Sequence, residues 1–240
     1  LQHVSAGGVE FSFYSFEPKK GMKEKSLLLF MMAAVAEIFS ALFEMHTLHL
    51  VAKPLIVLFL VIYYVMNAER ITKPFVAALI FCWMGDVLLM FESVHPLFFI
   101  FGLGSFLVAH LFFIASYRQM CSANERTAGP TLARLSFPII MAGSGLVVIL
   151  YPKLGDLQIP VMVYALVITL MVLQSVFRMG RTTSLSFWLI FFGAVSFLLS
   201  DSLLAINKFY QPIPFSAVWV MTTYSAAVFL IVRGALAHRP

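Results

Sequence analysis

Two aspartates each interrupt a long apolar run in this chain, Asp86 within WMGDVLLMF and Asp201 within FLLSDSLLAI. A pair of carboxylates whose surroundings push their proton affinities apart can divide general-acid and general-base work. Burial disfavours the charged form of a carboxylate, so such a group can act as an acid near neutrality. Two lysines add point charges of the kind that bind phosphate, Lys53 just before Pro54 and Lys208 shortly after Asp201. Carboxylates beneath ammonium groups suit a lipid with a phosphate head and a bond to be broken below it. Tyr224, in TTYSAAVF, can orient a carboxylate. His110 reads equally as a catalytic group and as a neutral histidine bonded to backbone or serine, and Glu37 reads as a packing residue.

The elements that position these groups follow from composition. Apolar residues make up 61% of the 240, charged residues 11%, and there are 25 Phe. A mean hydropathy of +0.95 cannot be hidden in one globular core, because surface grows with size. The runs lack the two-residue alternation of a membrane barrel, which leaves helices as the spanning structure. The expectation is an all-α integral membrane protein.

About 20 apolar residues cross a bilayer core, and the chain cuts into eight such pieces: 26–45, 48–66, 74–91, 97–117, 135–151, 159–177, 185–206 and 215–234. The second and fifth are the weakest in length. Pro54, Pro74, Pro96, Pro160 and Pro214 fall at span entrances, where a missing N–H costs little. Alternate sides collect 13 and 3 of the Lys and Arg residues, with only Lys53, Lys153 and Lys208 on the poorer side. That asymmetry predicts an eight-helix bundle with both termini cytoplasmic. It also places Asp86 and Asp201 at one depth, roughly 8–9 Å below the far boundary, with His110 about 20 Å from it. Residues 1–21 read as a leader, an upstream read-through or an expression remnant ahead of a natural start at Met22, and 22–240 as a single domain. Compact loops favour a bacterial inner membrane.

Other chemistries have less behind them. His46, His49 and His95 share the far side, so a zinc site is conceivable, but they lack a compact ligand motif. Ser200 and Ser202 flank Asp201 without a nucleophile elbow, and no P-loop or dinucleotide fingerprint occurs. Cys82 and Cys121 give no disulfide framework. Nucleic acid is a poor partner, because no basic patch carries stacking aromatics. Gly102, Gly104 and the Gly143-Ser144-Gly145 run read as close helix packing. The matched small-Asp-x-Leu-Leu settings hint at a duplication of four helices. A competing class is a small transporter or lipid-binding protein using the aspartates as proton or ion relays. Coupled transport favours ionisable groups at the midplane, whereas these lie towards one face.

Taken together, these residues resemble the YhhN-type lysoplasmalogenase family of eight-span membrane proteins, over about residues 48–234. The resemblance rests on Lys53-Pro54, Gly85-Asp86, Phe106 to His110 after Gly102, Tyr164-Ala165-Leu166 with Met171, and Thr223-Tyr224. Its most specific part is GAVSFLLSDSLLAINKF, Gly193 to Phe209. The chain departs from the family pattern at Ser225, where a second aromatic is expected, and near Val228, where a Gln is expected. Membership implies hydrolysis of the vinyl-ether bond of a lysoplasmalogen, giving a fatty aldehyde and glycerophosphoethanolamine or glycerophosphocholine. The substrate is then a lysophospholipid drawn from membrane lipids, and the chemistry requires no metal or other cofactor. On that reading Asp86 and Asp201 are acid and base, Lys53 and Lys208 hold the phosphate, and His110 and Tyr224 support them.

Overall fold

The computed structural model describes residues 20–121 and 129–238. Residues 1–19 of the 1–21 segment lie outside the described residues, as do Arg126 and Arg239 of the charge count. Among the described residues there are eight long helices: α1 Lys20–Leu42, α2 His46–Asn67, α3 Lys73–Met90, α4 Leu97–Gln119, α5 Gly129–Leu150, α6 Gln158–Val176, α7 Ser184–Ala205 and α8 Ser216–Leu236. All eight are long and apolar enough to cross a membrane. Large apolar side chains such as Phe137, Val148, Trp188 and Phe192 stand on the outside, where only lipid would satisfy them. The chain is a multi-pass integral membrane protein.

Short connections force sequence neighbours to pack as antiparallel pairs, and the most extensive contacts are α1 with α2, α3 with α4 and α7 with α8. Alternate turns therefore gather at one end. There Arg70, Lys73, Gln119, Thr183 and His238 belong to the polar part of the lining of a cavity of about 870 Å³. Arg178 is buried at the same end, donating to the Ser186 hydroxyl at 2.9 Å. In the α7–α8 seam, a Cβ on Gly193 would lie 2.7 Å from Ile231 Cγ1 and 3.0 Å from the Ala227 carbonyl oxygen. Only glycine allows this approach, as small-residue packing in membranes requires. Gly102 and Gly143 also meet neighbouring helices, against Leu89 and Thr169, whereas Gly104 and Gly145 face open space.

Four elements differ from the sequence reading. α1 runs from Lys20 to Leu42 rather than over 26–45. α2 begins at His46 and runs for 22 residues, so Pro54 lies inside it and Lys53 sits about 10 Å past its start. The polar start His46-Thr47 falls outside the span that the sequence reading opens at residue 48. α5 also reaches 22 residues, because Gly129–Leu135 continues the helix upstream of the apolar run and Pro138 is accommodated within it. α7 does not end at Ala205, since Ile206–Tyr210 carries on as a π-helical turn.

Candidate active site

Asp86 lies on α3 and is 2% exposed. The Tyr224 hydroxyl, from α8, donates to its Oδ2 at 2.6 Å. Gly85, beside it, leaves room for the ring of Phe106 on α4: a Cβ there would stand 2.6 Å from Phe106 Cε2. One helical turn after Phe106 on the same face comes His110, fully buried. Its Nε2 is 3.0 Å from the Tyr164 hydroxyl of α6 and 3.5 Å from Asp201 Oδ2 of α7. Tyr164 donates its own proton to Asp201. The hydrogen between His110 and Tyr164 must then belong to His110 Nε2, which fixes the tautomer if the ring is neutral. Nδ1 is left without a partner among the described residues.

Two carboxylate–tyrosine pairs thus come from four helices, separated by an aromatic wall. Phe106 packs edge-on against Tyr224 with ring centroids 6.0 Å apart, and Phe197 does so against both Tyr224 at 5.4 Å and His110 at 4.8 Å. On one side of the wall is a narrow apolar cleft of about 50 Å³ between α4, α5, α6 and α7. Asp201, Tyr164 and Ser202 are its polar lining, and Phe106 forms part of its wall, whereas Asp86 does not reach it. Cys82, one turn before Asp86, lies within electrostatic reach of both aspartates.

The contact between His110 and Asp201 corrects the depths expected from sequence. Counting along separate helices put them more than 10 Å apart in depth. The π-helical extension of α7 moves its end nine residues beyond Asp201, so the two groups meet. The same extension breaks the equal spacing of the two aspartates from their helix ends.

The lysines separate. Lys208 donates to Glu92 Oε1 at 2.7 Å, with its ammonium 5.1 Å from the Phe99 ring centroid at the edge of the cleft. Lys53 does not line the cleft. It is half-buried with no carboxylate within 4.0 Å among the described residues, and its charge acts on Asp86. Tyr164 and Glu92 were not singled out as site residues from sequence. Tyr164 stood in the family motif without a role. Glu37 is fully buried and bonded through Oε1 to His49 Nδ1 at 2.7 Å, so it is not simply a packing residue. His46, His49 and His95 do not converge: among the described residues no group of three or more His, Cys, Asp or Glu could hold a metal.

Residues 48–235 match the YhhN family. The chain belongs to that family. Among similar proteins, the Lysoplasmalogenase of Mycobacterium tuberculosis is 36% identical over 140 residues, covering 57% of this chain and 50% of its own. Lysoplasmalogenase TMEM86B of Homo sapiens is 31% identical over 166 residues, 69% of this chain and 64% of its own. The mouse protein of the same name is 28% identical over 187 residues, 77% and 73% respectively. The chain spans about half the length of the mycobacterial relatives it matches. No solved structure matches it. Against the expected family pattern, this YhhN member carries Ser225 beside Tyr224, buried with no partner for its hydroxyl among the described residues, and a fully buried Val228.

Proposed function

We infer that this protein hydrolyses the vinyl-ether bond of lysoplasmalogens, releasing a fatty aldehyde and glycerophosphoethanolamine or glycerophosphocholine. The observation that carries the reading is Asp201, held by Tyr164 and close to His110, on the wall of an apolar cleft that opens beside Lys208. The names of the mycobacterial and mammalian relatives support it.

A carboxylic acid delivers a proton to the β-carbon of the vinyl ether, leaving an oxocarbenium ion. A carboxylate stabilises that cation and takes a proton from the water that adds to it. The hemiacetal so formed collapses to aldehyde and alcohol, with no net change in protons. Asp201 and Asp86 divide these steps as a general acid–base pair. Asp201 meets the substrate directly, and Asp86 gains access when Phe106 turns away from Gly85. His110 and Tyr224 orient the carboxylates, while Lys208 takes the phosphate and Lys53 provides a positive field at Asp86. A cleft of about 50 Å³ must widen for a hydrocarbon chain. α5, which packs chiefly on α6 and is apolar on its outer face, is the helix that yields.

The excess of basic residues at one set of turns supports a cytoplasmic location for the start of α1 and the end of α8. The short connections between the helices support a bacterial inner membrane.

Aldehyde release from a lysoplasmalogen by the detergent-solubilised protein tests the function. Asp86→Asn and Asp201→Asn should each lower kcat by on the order of 10²–10⁴-fold while still inserting and purifying. Full activity in either variant removes that residue from the mechanism, and no aldehyde from folded wild type with either head removes the function.

A further inference from the structure

The ion pair at the mouth of the cleft joins two parts of the chain that lie far apart in sequence. Glu92 follows α3, and Lys208 belongs to the π-helical turn after α7, 116 positions later. Both side chains remain partly open to the outside, 34% and 39% exposed. The ammonium stands over Phe99, and Phe99 packs edge-on against Phe209 at 5.8 Å. Those two rings are also cleft wall. An anion and a cation therefore sit side by side on the aromatic rim of the cavity that contains Asp201.

Exposed ion pairs of this kind contribute little to stability, so an external pair of charges can replace the partners at low cost. The proposed substrate supplies such a pair: its head carries a phosphate and, two carbons away, an ammonium. We propose that Glu92 and Lys208 form the headgroup site, Lys208 receiving the phosphate and Glu92 the ammonium, so that Glu92 selects zwitterionic heads over phosphate alone. This rests on the function inferred above and deepens it, because the reading from lysines alone accounts for the phosphate and leaves the choice of head open. Lys208 gains an anion and Glu92 gains a cation as their mutual bond opens, which keeps the local charge balanced when a zwitterion binds. A lysolipid ending in phosphate offers nothing to Glu92 and leaves its carboxylate facing an added anion.

The test measures binding to the full chain in detergent with two ester-linked lysolipids, lysophosphatidylethanolamine and lysophosphatidic acid, neither of which has a vinyl ether to cleave. Glu92→Gln should weaken binding of the ethanolamine head about tenfold relative to the phosphate-only head, and Glu92→Asp should restore most of that preference. Lys208→Met should weaken both. A ratio of affinities unchanged by Glu92→Gln overturns the proposal, whatever its effect on thermal stability. Aldehyde release is followed in parallel. Wild type that discriminates heads through Glu92 yet releases no aldehyde would reject the hydrolase reading and leave the headgroup site standing. Aldehyde release without Glu92-dependent discrimination would do the reverse.

Discussion

Tyr224 donates to Asp86 at 2.6 Å across 138 positions of sequence, joining α8 to α3. Tyr164 makes the corresponding bond to Asp201 between α6 and α7. The two pairs share a chemistry and differ in access. Asp201 and Tyr164 line the cleft, whereas Asp86 and Tyr224 are sealed behind Phe106 and Phe197. Removing either hydroxyl therefore has different consequences.

Tyr164→Phe removes a hydrogen bond to a carboxylate in the reaction cleft, worth about 1.5–3 kcal/mol. It should lower kcat roughly ten- to hundredfold, converting that energy at about 1.4 kcal/mol per decade. Tyr224→Phe removes a donor from a carboxylate enclosed until Phe106 turns, and should lower unfolding stability by about 1–3 kcal/mol as well as turnover. Thermal unfolding alongside aldehyde kinetics separates them. Equal losses of stability with no difference in kcat would refute the assignment of the two pairs.

Gly85 and Gly193 make a second contrast. A Cβ at Gly85 meets the far edge of the Phe106 ring, a side chain that can shift, whereas at Gly193 it meets the Ala227 carbonyl of the opposing backbone. Gly85→Ala should cost about 1–3 kcal/mol, an ordinary overpacking penalty. Gly193→Ala should cost more, because the α7–α8 seam must open along its length. Gly85→Ala should also change turnover by moving Phe106, the wall between the aspartates. An alanine at Gly193 tolerated as well as one at Gly85 would contradict the packing.

His238 lies beyond α8 and bonds through Nδ1 to the Thr182 hydroxyl at 2.9 Å. Burial, reinforced by the Arg178 charge, lowers its pKa below the ordinary value of 6.5. The folded protein thus binds fewer protons at this site than the unfolded chain. Its stabilising contribution is present above about 6.5 and is lost as pH falls through that value towards the lower folded pKa. His238→Gln should flatten the acid limb of thermal stability between pH 7 and 5 relative to wild type. An acid limb unaltered by the substitution would assign it to other groups.

The membrane class and the eight helices were legible because uninterrupted apolar runs of spanning length have few other uses. Asp86, Asp201, His110 and Tyr224 were legible as residues because a polar group is conspicuous in such runs. Their partners were not. Tyr164 lies in YALVITL, where a tyrosine looks like one more bulky side chain, and nothing local says that α6 will face Asp201. Asn207 and Lys208 read as a helix end, which hid the π-helical turn and misplaced the depth of Asp201. Lys53 reads as the entrance of a span that begins seven residues before it. Each error came from taking polarity as the edge of a span, and helix neighbours are set by packing that a single sequence does not display.

Glu37 shows the same point at the first pair of helices. Its side chain is fully buried, with Oε1 on His49 Nδ1 at 2.7 Å and Oε2 without a partner among the described residues. A buried acid with one of two oxygens satisfied depends heavily on that one bond. His49→Phe keeps the ring volume and removes the hydrogen-bonding partner, leaving Glu37 alone between α1 and α2. Leaving a buried polar group without its hydrogen-bond partner costs about 1–3 kcal/mol, so the single variant should unfold at a lower temperature. Glu37→Leu in the His49→Phe background removes the stranded polar group and should recover much of the loss. Thermal unfolding of the two single variants and the double measures the coupling, and additive effects would show that the bond contributes nothing.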